Sequence, residues 1–483
     1  MSVPERAAVE AHTTSVAVHL TLQLGYFKTT WQLFSYEQDA VSDDLRYIRT
    51  RYFPGKALAD IQQPSRPTRL ALQQIVLKLF DYHMCDSAAK DALERKAQRH
   101  ARLSTQPLYL LREALHHLTT QRIVAPPYTF LQEMVGRVVT RERTRITQRL
   151  GHALTPTVAT PLDALLEADE HLYRISALKH AAKDFRDQEL RQEVTRRQFF
   201  HPRYAVAHTF LATAGLSNES SKYYASLVKC YTVSKLQRMA RATARLSLFC
   251  FAYYRFRQIS DHLVKAFIHL VDQYEQQAKQ AAEDAMQRAV TEAGEHLQAA
   301  GQVLSLFVEA SIPGEAPFTV VQEQAFALLD PARFPLVTDY LRNIGFDKMG
   351  LEWSAYTTLS PTFKRNLRHL FAELDFAGRV EDAPVLEAVA CLQGLLRRGQ
   401  SPRQTNPSGF PTTVIPQSVQ RSLFTKEAGQ VRALDVDRYE FLVYRLLRNA
   451  LEAGHVFVRE STEFRRFGDD LISDARWQHQ EAV

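Results

Sequence analysis

Four basic residues at helical spacing are the clearest candidates for chemistry in this sequence. Lys235, Arg238, Arg241 and Arg245 follow one another at intervals of three, three and four. At about 100° per residue, these positions form one stripe along an α-helix. Ammonium and guanidinium groups arranged in this way bind phosphates, so the stripe indicates contact with the backbone of a nucleic acid.

The stripe lies in a stretch without acidic residues. From Lys222 to Arg257 the chain has eight Lys and Arg and no Asp or Glu. A basic helix face is often only a solvated surface, but such surfaces usually balance their charge with acids three or four residues away. Because this stretch offers no such acid, its charge favours a polyanionic partner.

Two predicted helices position these residues. Ser217 or Asn218 can cap a first helix, and Ser234 with Gln237 matches a capping box that begins a second helix. The apolar residues of the second helix fall opposite the basic stripe. We therefore predict a helix-turn-helix-like unit at 217–246.

A second basic region lies earlier in the chain. Residues 51–150 hold 17 Lys and Arg against 8 Asp and Glu, and residues 201–260 hold 9 against 1. The whole chain has a net charge of only +7, so the remainder is acidic. Two basic regions are typical of a protein that contacts nucleic acid at two places. The candidate DNA-binding residues are Arg66, Arg69, Arg137, Arg141, Arg145, Lys222, Lys229, Lys235, Arg238, Arg241 and Arg245.

Composition and periodicity predict a mostly α-helical protein with several domains. The 483 residues are 45% hydrophobic, with only 17 Gly and with 20 Pro that separate the apolar helical segments. We predict helical DNA-binding domains at 1–152 and 160–300, a helical scaffold region at 301–398, a flexible linker at 399–410, and a helix followed by a strand within 411–483.

Motifs for catalysis and metal binding are not found. Asp43 and Asp44 are adjacent, as are Asp469 and Asp470, and adjacent side chains on a helix do not face each other. The histidine pairs lack cysteines or carboxylates at ligand spacing. The phosphate-loop, dinucleotide-binding and nucleophile-elbow motifs are absent from the sequence. We therefore assign no catalytic residue, no metal ligand and no cofactor.

The aromatic residues between Phe249 and Phe256 leave two interpretations open. Exposed aromatic rings in a basic region can stack on nucleic-acid bases. The same density of rings within one helix is equally typical of a packed core.

The sequence predicts a cytoplasmic protein. Its four cysteines are far apart and form no CxxC pair, which is typical of reduced thiols. The first twenty residues contain acids and no apolar core, so no signal peptide is predicted. The longest apolar run, at 246–254, is too short to cross a bilayer.

Seven groups of short segments, distributed nearly from end to end, carry a resemblance to a known family. They are Leu22–Lys28 with Asp44–Ile48, Arg51–Pro54, Pro64–Arg69, Tyr128–Gly136, Leu216–Glu219, Tyr223–Leu227, and Tyr439–Leu451 followed by Gly454–Val458. Their sequences and order resemble the amino-terminal half of a Tn3-family transposase, the bacterial replicative type that forms cointegrates.

The resemblance implies recognition of transposon terminal inverted repeats by amino-terminal helical domains, and dimerisation through the middle of the chain, at 301–398. Such transposases cleave DNA with a carboxy-terminal ribonuclease-H-like domain. We expect the chain to stop at the linker toward that domain, which would hold the catalytic carboxylates and their Mg²⁺. The expected activity is therefore double-stranded DNA binding and self-association without strand cleavage, in the bacterial cytoplasm at the nucleoid.

Two alternatives stay open. The chain could be a non-catalytic regulator that blocks a full-length transposase by forming mixed dimers, and it would then need no DNA affinity of its own. It could instead retain nuclease or strand-transfer activity, which a magnesium-dependent nick in supercoiled DNA would reveal. No membrane partner is expected under any of these readings.

Overall fold

The computed structural model is mostly α-helical, as the sequence predicted. It describes residues 1–37, 39–55, 63–169, 172–308, 312–343, 347–425, 433–466 and 468. The chain divides into two compact units. The first consists of Met1–Lys179 and Pro202–Tyr254, and the second consists of His180–His201 and Arg255–Val483.

The first unit is built from short and medium-length helices. They are α1 (Val3–Glu10), α2 (Thr14–Thr30), α3 (Ser42–Tyr52), α4 (Arg66–Phe80), α5 (Ser87–Leu103), α6 (Pro107–Thr120), α7 (Tyr128–Ala153), α8 (Pro156–Asp163), α9 (Arg174–Lys179), the last part of α10 (Asp187–Thr213), α11 (Asn218–Cys230), α12 (Val233–Arg238) and the first part of α13 (Arg241–Ser305). Strands β1 (Ala168–Asp169) and β2 (Leu172–Tyr173) form an antiparallel pair.

Helices α1, α3 and α4 pack around α2, which is apolar on two sides. Leu24 and Phe27 of α2 share a core with Val76 of α4. Leu22, on the opposite side of α2, packs in a separate cluster with Leu45 of α3. Because α2 is covered on both sides, α3 and α4 are each fixed against it.

Helices α5, α6 and α7 enclose another core of the first unit. Ala97 and Ala101 of α5 are 4% and 1% exposed, and they share this core with Leu110 of α6 and with Met134 and Val138 of α7. Alanines allow two helices to approach closely, because little side-chain volume separates their backbones. The outward-facing side chains of α5 and α7 therefore border a common groove.

The second unit combines longer helices with two small strand pairs. Besides its parts of α10 and α13, it contains α14 (Phe318–Leu328), α15 (Phe334–Asn343), α16 (Lys348–Glu373), β3 (Phe376–Gly378), α17 (Ala383–Arg397), α18 (Gln420–Leu423), β4 (Phe424–Thr425), β5 (Ala433–Leu434), α19 (Val436–Glu452) and β6 (Val456–Val458). Strand β3 pairs antiparallel with β6, and β4 pairs antiparallel with β5. None of the helices in the described residues has the length and apolar character needed to cross a bilayer.

An ion pair with a fully buried carboxylate lies in the aromatic core of the second unit. Glu440 of α19 is fully buried and accepts two hydrogen bonds of 2.7 Å from the guanidinium of Arg368 on α16. The Tyr444 hydroxyl donates a third, at 2.7 Å, to the same carboxylate. The Tyr444 ring lies 4.9 Å from that of Phe371. Packing and charge pairing thus hold α16 and α19 together.

The segment expected to be a flexible linker, at 399–410, is folded onto the second unit. It contains short 3-10 helices at Pro402–Gln404 and Pro407–Gly409. Phe410 is 4% exposed, and Arg403 contacts the buried Asp437 carboxylate at 2.8 Å. Its many Gly, Pro and Asn residues form tight turns rather than a free connection.

The two units also divide the chain differently from the predicted domains. The expected second DNA-binding domain, 160–300, contributes to both units. The reason is that α10 and α13 are long helices, and each has residues in both units. The Asp469 and Asp470 pair lies outside the described residues.

Replacing Glu440 by Gln should destabilise the second unit by about 3 kcal/mol, because the Arg368 guanidinium, which is only 24% exposed, would lose its charge partner. Urea unfolding followed by circular dichroism measures this. Glu463→Ala is the control, since Glu463 is 54% exposed in its pair with Lys265, and its loss should cost less than about 1 kcal/mol. Equal effects of the two substitutions would contradict the assigned role of the buried pair.

Candidate nucleic-acid interface

A basic groove of about 1000 Å³ lies between α5 and α7 in the first unit. Arginines from both helices line it, and Glu142 is the one carboxylate among the lining residues. The five arginines and this glutamate give the lining a net charge of +4. The arginines are Arg95, Arg99 and Arg102 from α5 and Arg141 and Arg145 from α7.

Helical spacing places these arginines on the outer faces of α5 and α7. Those of α5 recur at intervals of four and three, and those of α7 are four residues apart. The intervening small and apolar residues point into the core, with Ala101 and Val138 at the edge of the groove. The same amphipathic pattern therefore packs the helices and brings their positive charges together.

Four of the five groove arginines make no ion pair within the described part of the chain. The exception is Arg145, whose Nε and Nη2 donate to the Glu142 carboxylate at 2.9 and 2.5 Å. These hydrogen bonds to the Glu142 carboxylate raise the pKa of Arg145. The unpaired guanidinium groups can each bind two oxygens of one phosphate. They belong to Arg95, Arg99, Arg102 and Arg141.

Neutral polar side chains complete the groove. Gln98, Thr144 and Gln148 offer amide and hydroxyl groups that can bond to phosphate, sugar or base edges. The described residues contain no cluster of His, Cys, Asp and Glu arranged to hold a metal ion. The lining therefore offers anion binding and hydrogen bonding.

The predicted helix-turn-helix-like unit begins as expected but continues differently. Ser217 caps α11, because its Oγ accepts from the Ser220 backbone N–H at 3.0 Å. The cap of the next helix is Thr232 instead of Ser234, and α12 already ends at Arg238. Met239 is extended before α13 begins. The predicted single helix is therefore two helices.

This break separates the predicted basic stripe. Lys235 and Arg238 lie on α12, whereas Arg241 and Arg245 lie on α13. The expected capping box is also wrong, because the Gln237 amide donates to the Leu166 carbonyl at 2.7 Å. The Gln237 side chain thus contacts a distant segment of the chain and not the start of its own helix.

Asp163 at the end of α8 supplies the acid that the local sequence lacks. Arg245 Nε and Nη2 donate to Asp163 at 2.8 and 2.5 Å, and Arg241 Nη2 donates to it at 2.7 Å. The hydrogen bond from Arg245 is the largest influence that lowers the pKa of Asp163. These two arginines consequently attach the start of α13 to α8, although the Arg241 side chain stays 76% exposed.

The remaining candidates around the α11–α12 turn differ in availability. Lys235 lies over the Tyr231 ring, with Nζ 3.7 Å from its centroid. Lys222 is paired at 2.9 Å with the glutamate three residues before it. Lys229 and Arg238 are exposed and have no acidic partner among the described residues. The accessible cations therefore cluster beside the turn.

Three further candidates lie outside the groove lining. Arg137 is next to it on α7 but is paired with Glu94 at 2.9 Å. Arg66 is exposed at the first residue of α4. Arg69 is half-buried and lies near Tyr36. Burial raises the pKa of Tyr36 to about 12, and the positive charge of Arg69 partly opposes this rise. The structure therefore brings only Arg141 and Arg145 of the predicted set into the groove.

The aromatic residues of α13 pack inside the protein. Phe249 and Phe256 are fully buried, and Phe251 is 6% exposed. Tyr253 is half-buried and stacks on Tyr204, with ring centroids 5.2 Å apart. The structure therefore supports the core interpretation over base stacking.

The predicted site set omitted the α5 half of the groove. Arg95, Arg99 and Arg102 already showed helical spacing in the sequence. In the sequence, α5 carries five Lys and Arg against Asp91 and Glu94, but its spacing does not show which element its basic face meets. Glu94 pairs with α7 and does not line the groove, so the structure shows where the excess positive charge lies.

Asp163→Asn should lower stability by about 1–3 kcal/mol at neutral pH, because two guanidinium groups lose a charged acceptor. The pKa of Asp163 is lowered in the folded state from its ordinary 3.8, so its contribution is present above about pH 4 and is lost as the pH falls further. Urea unfolding of wild type and variant at several pH values measures the difference. A difference that persists unchanged at pH 2 to 3 would contradict this.

One family match covers the groove in part. Residues 2–138 match the sequence profile of a domain of unknown function, DUF4158, and this domain is found in Tn3-family transposases. The matched range includes all of α5 and ends just before Arg141. No curated protein sequence matches the chain.

Proposed function

We propose that this chain binds the terminal inverted repeats of a transposon as the DNA-recognition part of a Tn3-type transposase. The observation that carries the proposal is the α5–α7 groove, where four guanidinium groups lie without acidic partners in the described structure. Like charges held together in this way repel one another unless a polyanion neutralises them. Duplex DNA supplies such a polyanion.

The chemistry of the groove fits phosphate contacts. Arginine binds a phosphate through two parallel N–H groups, and it displaces condensed counterions when it does so. Each phosphate neutralised changes the logarithm of the binding constant by about −0.9 per tenfold change in salt. Four to five phosphate contacts in the groove would make the binding constant depend steeply and measurably on salt concentration.

The exposed cations at the α11–α12 turn provide a second contact region in the same unit. Lys229, Lys235 and Arg238 are exposed there. Two contacts on one chain raise specificity, because the second binds at a high effective concentration once the first is made. The domain match at 2–138 and the ordered resemblance segments through Val458 support a role in transposition.

Self-association is part of this proposal and is supported by an apolar surface of the second unit. Phe307, Phe318 and Phe326 are 69%, 73% and 39% exposed. Phe307 and Phe318 line one hydrophobic groove where the end of α13 meets α14. An exposed patch of this kind is typical of a protein interface. The same surface would serve mixed dimers with a full-length transposase, which is the regulatory alternative.

Replacing Arg99 and Arg141 together by Ala should weaken binding to every duplex and reduce the salt slope by about two, because each residue contacts one phosphate. Fluorescence anisotropy with a mixed-sequence 40-base-pair duplex, titrated over salt, measures both quantities. The control is Arg288→Ala on α13, which removes one positive charge outside the groove, at an exposed arginine without an ion pair in the described structure. A double variant that behaves like the control would contradict the groove assignment.

Phe307→Asp combined with Phe318→Asp should convert a dimer into a monomer, because each change places a charge on the apolar surface. Light scattering after size exclusion measures the mass over a range of concentrations. Leu70→Asp, at a 55% exposed position in the first unit, is the control and should leave the mass unchanged. A wild-type protein that is monomeric at all concentrations would refute self-association.

A further inference from the structure

Helix α3 is held rigidly by its inner face. Leu45 and Ile48 are buried against α2. The Tyr26 hydroxyl of α2 donates to Asp44 at 2.8 Å, and the Tyr26 ring stacks on Phe34 at 3.9 Å between centroids. The orientation of α3 is therefore fixed before any partner binds.

The outer face of α3 is exposed and chemically mixed. Asp43, Arg46, Tyr47, Thr50 and Arg51 are all exposed, and their positions cover about 140° of the helix surface. Tyr47 is 66% exposed, which is high for a large aromatic residue. It borders a cavity with Leu22 and Tyr26 of α2 and stays largely open to solvent.

The contrast with the basic groove indicates a different contact. A surface that offers only arginines suits contacts with phosphates, and phosphates are the same for every base sequence. Base edges present donors, acceptors and methyl groups in a pattern, so their readout needs mixed side chains. Arginine reads guanine, aspartate accepts from cytosine, and threonine and aromatic groups contact the thymine methyl.

We propose that α3 is a base-reading helix that enters the major groove of duplex DNA through Arg46, Tyr47, Thr50 and Arg51. Its eleven residues span about 16 Å, and an α-helix fits a major groove about 12 Å wide. The weak 3.4 Å pair between Arg46 and Asp43 is exposed at both ends, so it leaves both side chains free to exchange partners. This assignment rests on the proposed DNA binding and adds the source of its sequence preference.

The test begins with a duplex obtained by selection from a random 40-base-pair pool with the full chain. Tyr47→Ala and Arg51→Ala are then compared with wild type by anisotropy on this selected duplex and on a scrambled one. Each variant should lose about tenfold to hundredfold in affinity for the selected duplex. Affinity of the Tyr47 variant for the scrambled duplex should not change. Thermal unfolding confirms that both variants are folded, as expected for exposed positions.

The outcomes separate two failures. If wild type enriches no sequence, the proposed end recognition fails. If wild type prefers the selected duplex and both variants keep that preference, α3 does not read bases and the inference is overturned. If Tyr47→Ala lowers the affinity for both duplexes equally, the inference is also overturned, because α3 would then contact the DNA backbone and not the bases. Arg112→Ala, at an exposed position of α6, is the matched control and should leave the preference intact.

Discussion

The packing of α5 on α7 is the constraint on which the candidate interface depends. Ala97, Ala101 and Val138 bury the inner faces of these helices and fix the distance between their outer faces. That burial holds five arginines around one groove against their mutual repulsion. A loosened interface would let the charges spread, so apolar packing and anion binding are linked in this unit.

Arginine serves two purposes in this protein, and the presence of an acidic partner distinguishes them. Arg368 and Arg448 of the second unit are paired with carboxylates, the latter with Asp272 and Glu275. Such arginines hold helices together. Arg99 and Arg141 of the groove have no ion pair in the described structure, which leaves their charge for a ligand. Net charge alone does not separate these roles.

Local signals predicted much of the fold. Pro107 begins α6, and Gly454 follows α19 with a φ of 69°, a conformation that glycine adopts readily. The arrangement at Asp163 was beyond such signals, because its partners Arg241 and Arg245 are 78 and 82 residues away. The groove likewise needed two helices from different parts of the chain. Sequence periodicity identifies helix faces, whereas tertiary packing decides which faces meet.

Protection of arginines by bound DNA against chemical modification is the measurement that shows whether the α5–α7 groove contacts DNA. Phenylglyoxal would be reacted with the full chain, with and without a saturating 40-base-pair duplex, and modification at each arginine read by mass spectrometry. We expect DNA to protect Arg95, Arg99, Arg102 and Arg141, while Arg288 reacts at an unchanged rate. Equal modification of the groove arginines with and without bound DNA would show that the groove does not bind DNA.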